Sequence, residues 1–432
     1  MRGLVLAGTA SGVGKTVATL AVLHALEEAG YDPQPAKAGP DFIDPSHHEH
    51  VVDRPSRTLD PWLQGEQGLR RSYHRGSGDV CVVEGMMGLY DGTVASTADV
   101  AATLELPVVL VVDASAGMES VAATALGFRA YAAEAGLDIE VVGVIAQRAH
   151  GGRHERGIRE ALPAEIAYLG RIPPMESLSI PDRHLGLHMG AESPLSAASL
   201  ATAADHLDVE HLVSLAREPP LPTDTGERPA VGASVGVATD SAFCFSYPAT
   251  LERLRERATV ETFSPVAGDV LPDCDGYYLP GGYPELHADA LAESPTLTTL
   301  AERASAGRPI VAECGGVMAL AQTLRTVDGD THQMAGVLPA AVRMHERYQA
   351  LDHVELRADR DGPTARAGEH LRGHEFHYSS ASVDGDARFA FTLERGEGID
   401  GDHDGLYEYQ TVGTYCHAHA ASGIFDRFLE SL

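Results

Sequence analysis

Two short stretches of this 432-residue chain carry residue types at spacings that suit chemistry. The first is Gly8-Thr9-Ala10-Ser11-Gly12-Val13-Gly14-Lys15-Thr16, set between the apolar run Leu4-Val5-Leu6-Ala7 and a helical pattern that Gly30 stops. A glycine-rich turn between strand and helix aims main-chain N–H groups and the positive end of the helix at an anion. Gly12, Val13 and Gly14 would form the turn around the phosphates of a nucleotide. Lys15 would reach the β- and γ-phosphates, and the Thr16 hydroxyl would bind Mg²⁺. The strict phosphate-loop spacing is not met: Thr9 stands where the first glycine belongs, and Gly8 lies one residue earlier.

The second stretch is Ile310-Val311-Ala312-Glu313-Cys314-Gly315-Gly316, a strand pattern running into a glycine pair and the helical Val317-Met318-Ala319-Leu320. This is a nucleophile elbow with Cys in place of Ser. The helix start behind Cys314 is expected to lower its pKa and favour the thiolate. Amides of Gly281 and Gly282, at the end of another strand pattern, would join the Gly315 amide as an oxyanion hole. His417, near the C-terminus, is the candidate base. Cys81, Cys244, Cys274 and Cys416 are read as packing residues, as isolated cysteines usually are.

Acidic groups complete the first site. Asp41 lies in Lys37-Ala38-Gly39-Pro40-Asp41-Phe42-Ile43-Asp44-Pro45, and Glu84 follows the buried run Val80-Cys81-Val82-Val83. Mg²⁺ takes oxygen ligands, and both residues fall where strands end, the edge at which α/β sheets bind ligands. They are the expected metal ligands beside Thr16. The chain has only two lysines, Lys15 and Lys37, against thirty arginines, and both lie in these segments. A compact ammonium meets a phosphate as a point charge in a way that guanidinium does not.

The net charge of −30 argues against nucleic acid or an anionic membrane as partner, and it suits solubility in high salt. Five cysteines make no disulfide framework. No apolar run reaches 18 residues, and Met1 leads straight into the first strand, so a cytoplasmic location is expected.

These residues need rigid elements to hold them. Continuous apolar runs at 80–83, 108–112 and 141–145, alternating with helical patterns, predict a doubly wound α/β domain over 1–215. A Pro-, Gly- and charge-rich stretch at 216–230 reads as a linker. A second α/β pattern runs over 231–432, with strands at 235–238, 277–279 and 309–312.

Taken together, the chain resembles the cobyrinic acid a,c-diamide synthases of cobalamin biosynthesis over essentially its whole length. The segments that carry the resemblance are Lys37 to Pro45 with His48, Arg57-Thr58-Leu59-Asp60-Pro61-Trp62, Glu84 to Gly92, Arg183-His184-Leu185-Gly186-Leu187, Asp240 to Phe245 and Arg372-Gly373-His374-Glu375-Phe376-His377-Tyr378. The first half is similar to dethiobiotin synthetase. The second is similar to class I glutamine amidotransferases, of flavodoxin-like fold. The resemblance implies an ATP-dependent carbon–nitrogen ligase in which Cys314 frees ammonia from L-glutamine to amidate the a and c carboxylates of cobyrinic acid through an acyl phosphate. It implies a protected passage for ammonia between the domains and a supporting role for Lys37 in phosphoryl transfer. Asp44, His48, Tyr90, Asp91, Arg183 and His184 are the candidate substrate contacts, and His374 and His377 are read as substrate or surface groups. In such enzymes the acid that orients the base stands two residues after it; here that residue is His419. Gln147 replaces the family's nucleotide-binding Asn. A nickel-sirohydrochlorin a,c-diamide synthase, a phosphate-loop switch with an inert second domain, and a homodimeric assembly remain open at this point.

Overall fold

The computed structural model describes residues 1–183, 186–192 and 194–432. The chain divides into two compact units, Met1–Gly226 and Glu227–Leu432. Among the described residues no helix is long and apolar enough to cross a membrane.

The apolar runs of the first unit do not alternate with polar residues, so they suit strands covered on both faces. They form a seven-stranded sheet of β1 (Arg2–Gly8), β2 (Pro33–Ala38), β3 (Arg57–Leu59), β4 (Val80–Glu84), β5 (Val108–Asp113), β6 (Val141–Gln147) and β7 (Ala167–Ile172). The order is β3-β2-β4-β1-β5-β6-β7, and every pairing is parallel. Successive side chains leave opposite faces. Val5 and Ala7 therefore join one core with Leu69, Tyr73 and Val100, while Leu4 and Leu6 join the other with Leu20, Leu23 and Leu26 of helix α1 (Lys15–Glu28). Each such leucine withdrawn from water contributes about 1.5–3 kcal/mol. Because β1, β2 and β4 are neighbours, their carboxyl ends lie side by side. Register sets Lys37 of β2 and Leu6 of β1 on either side of Glu84 of β4. Residues 217–224 of the expected linker are tied to this unit: Arg217 exchanges main-chain bonds with Gly3, and Thr223 and Asp224 bond Gln67 and Arg71.

The second unit is built on a ten-stranded sheet, and here the doubly wound expectation holds for only half of it. Thr259–Phe263, Ser234–Ala238, Gly276–Leu279, Ile310–Glu313 and Thr411–Thr414 run parallel in that order. The sheet then continues antiparallel through His403–Glu408, Phe389–Arg395, Ala350–Ala358 and His370–His377 to the short strand His417–Ala418. Thr414 and His417 lie five strands apart in that order yet only three residues apart in sequence, a reach of about 11 Å at most. The antiparallel arm must therefore curl back upon the parallel half. That curl brings His370–His377 beside the residue expected to serve as base.

Candidate active sites

In the first unit, β1 ends at Gly8 and α1 begins at Lys15, with Gly14 as its cap at φ 97°. The irregular glycine spacing has a steric cause. A Cβ on Gly8 would come within 2.8 Å of Val13 Cγ1 and 2.9 Å of Lys15 Cδ, so the loop can fold over the strand end only if that residue is glycine. Lys15 is buried, and its ammonium donates to the Met87 carbonyl at 2.6 Å. Burial, followed by the charge of Lys37, holds its pKa below the usual lysine value. Arg148, which sequence reasoning did not single out, donates to the Gly12 carbonyl at 2.9 Å and pairs with Asp113 at 2.5 Å. Buried Gln147 packs against Gly14. No spacing in the sequence could link Arg148 to a loop 136 residues earlier.

The Thr16 hydroxyl meets two carboxylates, Glu84 Oε1 at 2.9 Å and Asp44 Oδ1 at 3.2 Å. Lys37 binds the same pair: it donates to Asp44 and, at 3.2 Å, to Glu84 Oε1. Burial alone would lower the Lys37 ammonium, but Asp44, Glu84 and Asp41 outweigh it and raise its pKa. Asp41, expected beside Thr16, instead caps the turn through the Ile43 amide at 2.8 Å and stands 3.6 Å from Lys37. Asp44, in the first turn of α2 (Ile43–Val52), takes the place beside the hydroxyl. Asp41 lies ahead of α2, whose first residue is Ile43, whereas Asp44 is inside it, so where the helix begins decides which of them meets the Thr16 hydroxyl.

His48 is wholly buried. Its Nε2 lies 2.7 Å from Glu84 Oε2 and its Nδ1 2.9 Å from Ser56 Oγ, so it braces Glu84 and presents no surface to substrate. Tyr90 packs on Phe128 and Tyr131 with ring centroids 5.8 and 4.9 Å away, and Asp91 accepts from the Gly88 amide at 3.1 Å. Arg183 belongs to a two-residue strand paired with Gly186–Leu187, and His184 lies outside the described residues. The segment just beyond returns to α2, where His47 Nε2 lies 2.9 Å from the His188 carbonyl.

In the second unit, Cys314 stands at φ 47°, ψ −99°, between the strand Ile310–Glu313 and the helix Gly315–Leu320. A non-glycine residue held there stores about 1–3 kcal/mol, the strain expected of an elbow that thrusts its side chain forward. The elbow is pinned by the Cys314 amide, which donates to the Thr414 carbonyl at 2.7 Å. Gly281 and Gly282 lie between this turn and His417. A Cβ on Gly281 would come within 2.2 Å of His417 Cε1, and one on Gly315 within 2.9 Å of the Gly282 nitrogen. Gly281→Ala is therefore expected to push the imidazole aside. It should cut glutamine hydrolysis by about 100-fold, the scale of a misplacement near 1 Å, with amidation from added ammonium salts unchanged.

The expected thiolate is not what the fold provides. Burial, then the charge of Glu285, pushes the Cys314 thiol well above its ordinary range, and the Gly315 amide only partly offsets them. A six-residue helix start is too weak a dipole to overcome full desolvation. His417 is pushed down to about 3, first by burial and then by the charges of His374 and His377. The resting pair is thus neutral thiol and neutral imidazole, and the proton moves only when a substrate draws it. Iodoacetamide should accordingly label Cys314 slowly at pH 7. Because the thiol's pKa lies above the range, the thiolate fraction and the labelling rate should rise about tenfold per pH unit to pH 9 with no plateau. A plateau near pH 7 would contradict this picture.

His374 and His377, read from sequence as substrate or surface groups, are buried beside His417. His374 pairs directly with His417 across the sheet, and the His377 ring stacks on Tyr415 at 4.0 Å. In the place of the orienting acid stands His419, whose Nδ1 accepts from the Ala421 amide at 3.1 Å and whose ring packs on Tyr247. The four remaining cysteines carry no disulfide, and Cys81, Cys274 and Cys416 are buried.

A nucleotide-type phosphate loop and a cysteine elbow with a histidine, each on its own α/β unit, define a glutamine-hydrolysing amidoligase. Residues 4–187 match the CobQ/CobB/MinD/ParA nucleotide binding domain, and residues 234–425 match the CobB/CobQ-like glutamine amidotransferase domain. The cobyrinate a,c-diamide synthase of Halobacterium salinarum is 68% identical, covering 100% of this chain and 98% of that one. That of Haloarcula marismortui is 66% identical over 99% and 98% of the two chains. A hydrogenobyrinate a,c-diamide synthase of Brucella anthropi is 36% identical over 96% and 98%. The chain belongs to the cobyrinate a,c-diamide synthase family.

Proposed function

We propose that this protein amidates the a and c carboxylates of cobyrinic acid, using two ATP and two glutamines. The observation that carries the reading is the presence in one chain of a glycine-rich loop that opens α1 at Lys15 and Thr16 and a strained Cys314 elbow adjoining His417 through Gly281 and Gly282. The names borne by the two relatives above 60% identity supply the substrate.

In the first unit the γ-phosphoryl group of ATP passes to a side-chain carboxylate of the macrocycle, giving an acyl phosphate and ADP. Lys15 and the loop amides hold the charge that is transferred. Thr16, Asp44 and Glu84 form an all-oxygen donor set that fits Mg²⁺, which when bound neutralises phosphate charge. Against burial, the Lys37 ammonium holds the Asp44 carboxyl well below the usual carboxylate range and donates to Glu84 as well, and His48 fixes Glu84. In the second unit, neutral His417 takes the Cys314 proton as Sγ attacks the glutamine side-chain carbonyl. The amides of Gly282 and Gly315 face the oxyanion, ammonia leaves with the proton returned by His417, and water releases glutamate from the thioester. Ammonia then displaces phosphate from the acyl phosphate to form the amide.

The reading is tested by mass analysis of products in high salt with cobyrinic acid, hydrogenobyrinic acid and nickel sirohydrochlorin offered separately. Two amide groups gained on cobyrinic acid are expected. Turnover of the nickel compound alone would move the substrate assignment, and amidation of none would overturn it.

A further inference from the structure

The segment that carries His417 is held through its main chain by the carboxyl oxygens of two buried acids. Between Thr414, beside the Cys314 strand, and His417, at the far edge of the sheet, the chain crosses the interior with its amides enclosed. The Tyr415 and Cys416 amides donate to Asp404 Oδ1 and Oδ2, both at 3.0 Å, and the Thr414 hydroxyl donates to the Cys416 carbonyl at 2.7 Å. On the other side of the base, the Ala418 amide donates to Glu313 Oε1 at 3.0 Å, and Tyr278 fixes Glu313 Oε2 at 2.7 Å. Glu313 and Asp404 are fully enclosed. Glu313 is also the residue before Cys314, so one side chain joins the nucleophile's strand to the peptide next to the base.

Resting on the glutaminase reading above, we propose that Glu313 is a positioning residue for His417, with Asp404 as its counterpart on the other flank. Together they do through the main chain what an orienting acid two residues after the base would do through the imidazole. The place of that acid is taken by His419, whose Nδ1 is engaged with the Ala421 amide. A buried amide needs an acceptor, and a carboxyl group held by a second donor offers a rigid one in either protonation state.

Glutamine hydrolysis by Glu313→Ala and Glu313→Gln decides the matter. Gln keeps the Oε1 acceptor at nearly the same place, whereas Ala removes it. Glu313→Ala is expected to lower kcat by about 100-fold, as for a misplaced base, with KM for glutamine and amidation from added ammonium salts little changed. Glu313→Gln should recover most of kcat. The inference is overturned if Glu313→Ala keeps its kcat, if its loss lies in KM, or if Glu313→Gln falls as far, which would assign the effect to charge. If Glu313→Ala does not fold, Tyr278→Phe replaces it, since it leaves the carboxylate free to turn. A fall in kcat without a change in KM is then expected, and an unchanged kcat overturns the inference. Cys314→Ala separates the two levels: loss of hydrolysis there with none in Glu313→Ala refutes only the positioning role, while retained hydrolysis in Cys314→Ala refutes the glutaminase reading itself.

Discussion

Cys314→Ala is expected to abolish glutamine-dependent amidation, by at least about 10⁴-fold or roughly 5.5 kcal/mol of transition-state stabilisation, while amidation from added ammonium salts continues. The split follows from the division of labour. The proposed thioester forms only in the second unit, and neither Cys81, inside β4, nor Cys416, buried in the crossing that Asp404 holds, stands at an elbow. Alanine fits the site sterically, because it keeps the Cβ and leaves the pinned amide of residue 314 untouched. The measurement is glutamate release together with amidated product under each nitrogen source. Glutamate release at the wild-type rate would mean that another nucleophile does the work.

Lys15→Ala should abolish amidation whatever the nitrogen source, with kcat/KM for ATP falling about 10³-fold, near 4 kcal/mol. Glutamine hydrolysis at Cys314 should survive as a folded control. The more telling variant is Lys15→Arg. This chain uses arginine thirty times and lysine twice, so arginine is its ordinary cation. Yet the Lys15 side chain lies buried along Gly8 and ends on the Met87 carbonyl, a slot that suits a single ammonium and not a planar fork. Lys15→Arg should therefore fail nearly as badly as alanine. Recovery by arginine would show that charge alone suffices.

What the sequence by itself determined is what depends on neighbours along the chain. A glycine-rich turn after an apolar run fixed the phosphate loop and the start of α1 at Lys15, and Gly30 ended it, because these are local conformational requirements. Strand–Cys–Gly–Gly marked the elbow for the same reason. The scarcity of lysine pointed to Lys15 and Lys37, and the acidic balance belongs to composition alone.

The tertiary structure decided everything that depends on direction and burial. It chose Asp44 over Asp41 beside Thr16, because α2 begins at Ile43 and carries only Asp44. It turned His48 from a substrate candidate into the brace of Glu84, and it set Arg148 against a loop far away in sequence. It curled an antiparallel arm around so that His374 and His377 lie by His417, and it buried Cys314 deeply enough to keep its thiol protonated. Desolvation is set by what surrounds a group in three dimensions, and no residue type or spacing records that. For the same reason, a base steadied through main-chain amides by Glu313 and Asp404 left no motif to find, since any sequence has amides and only the fold aims them.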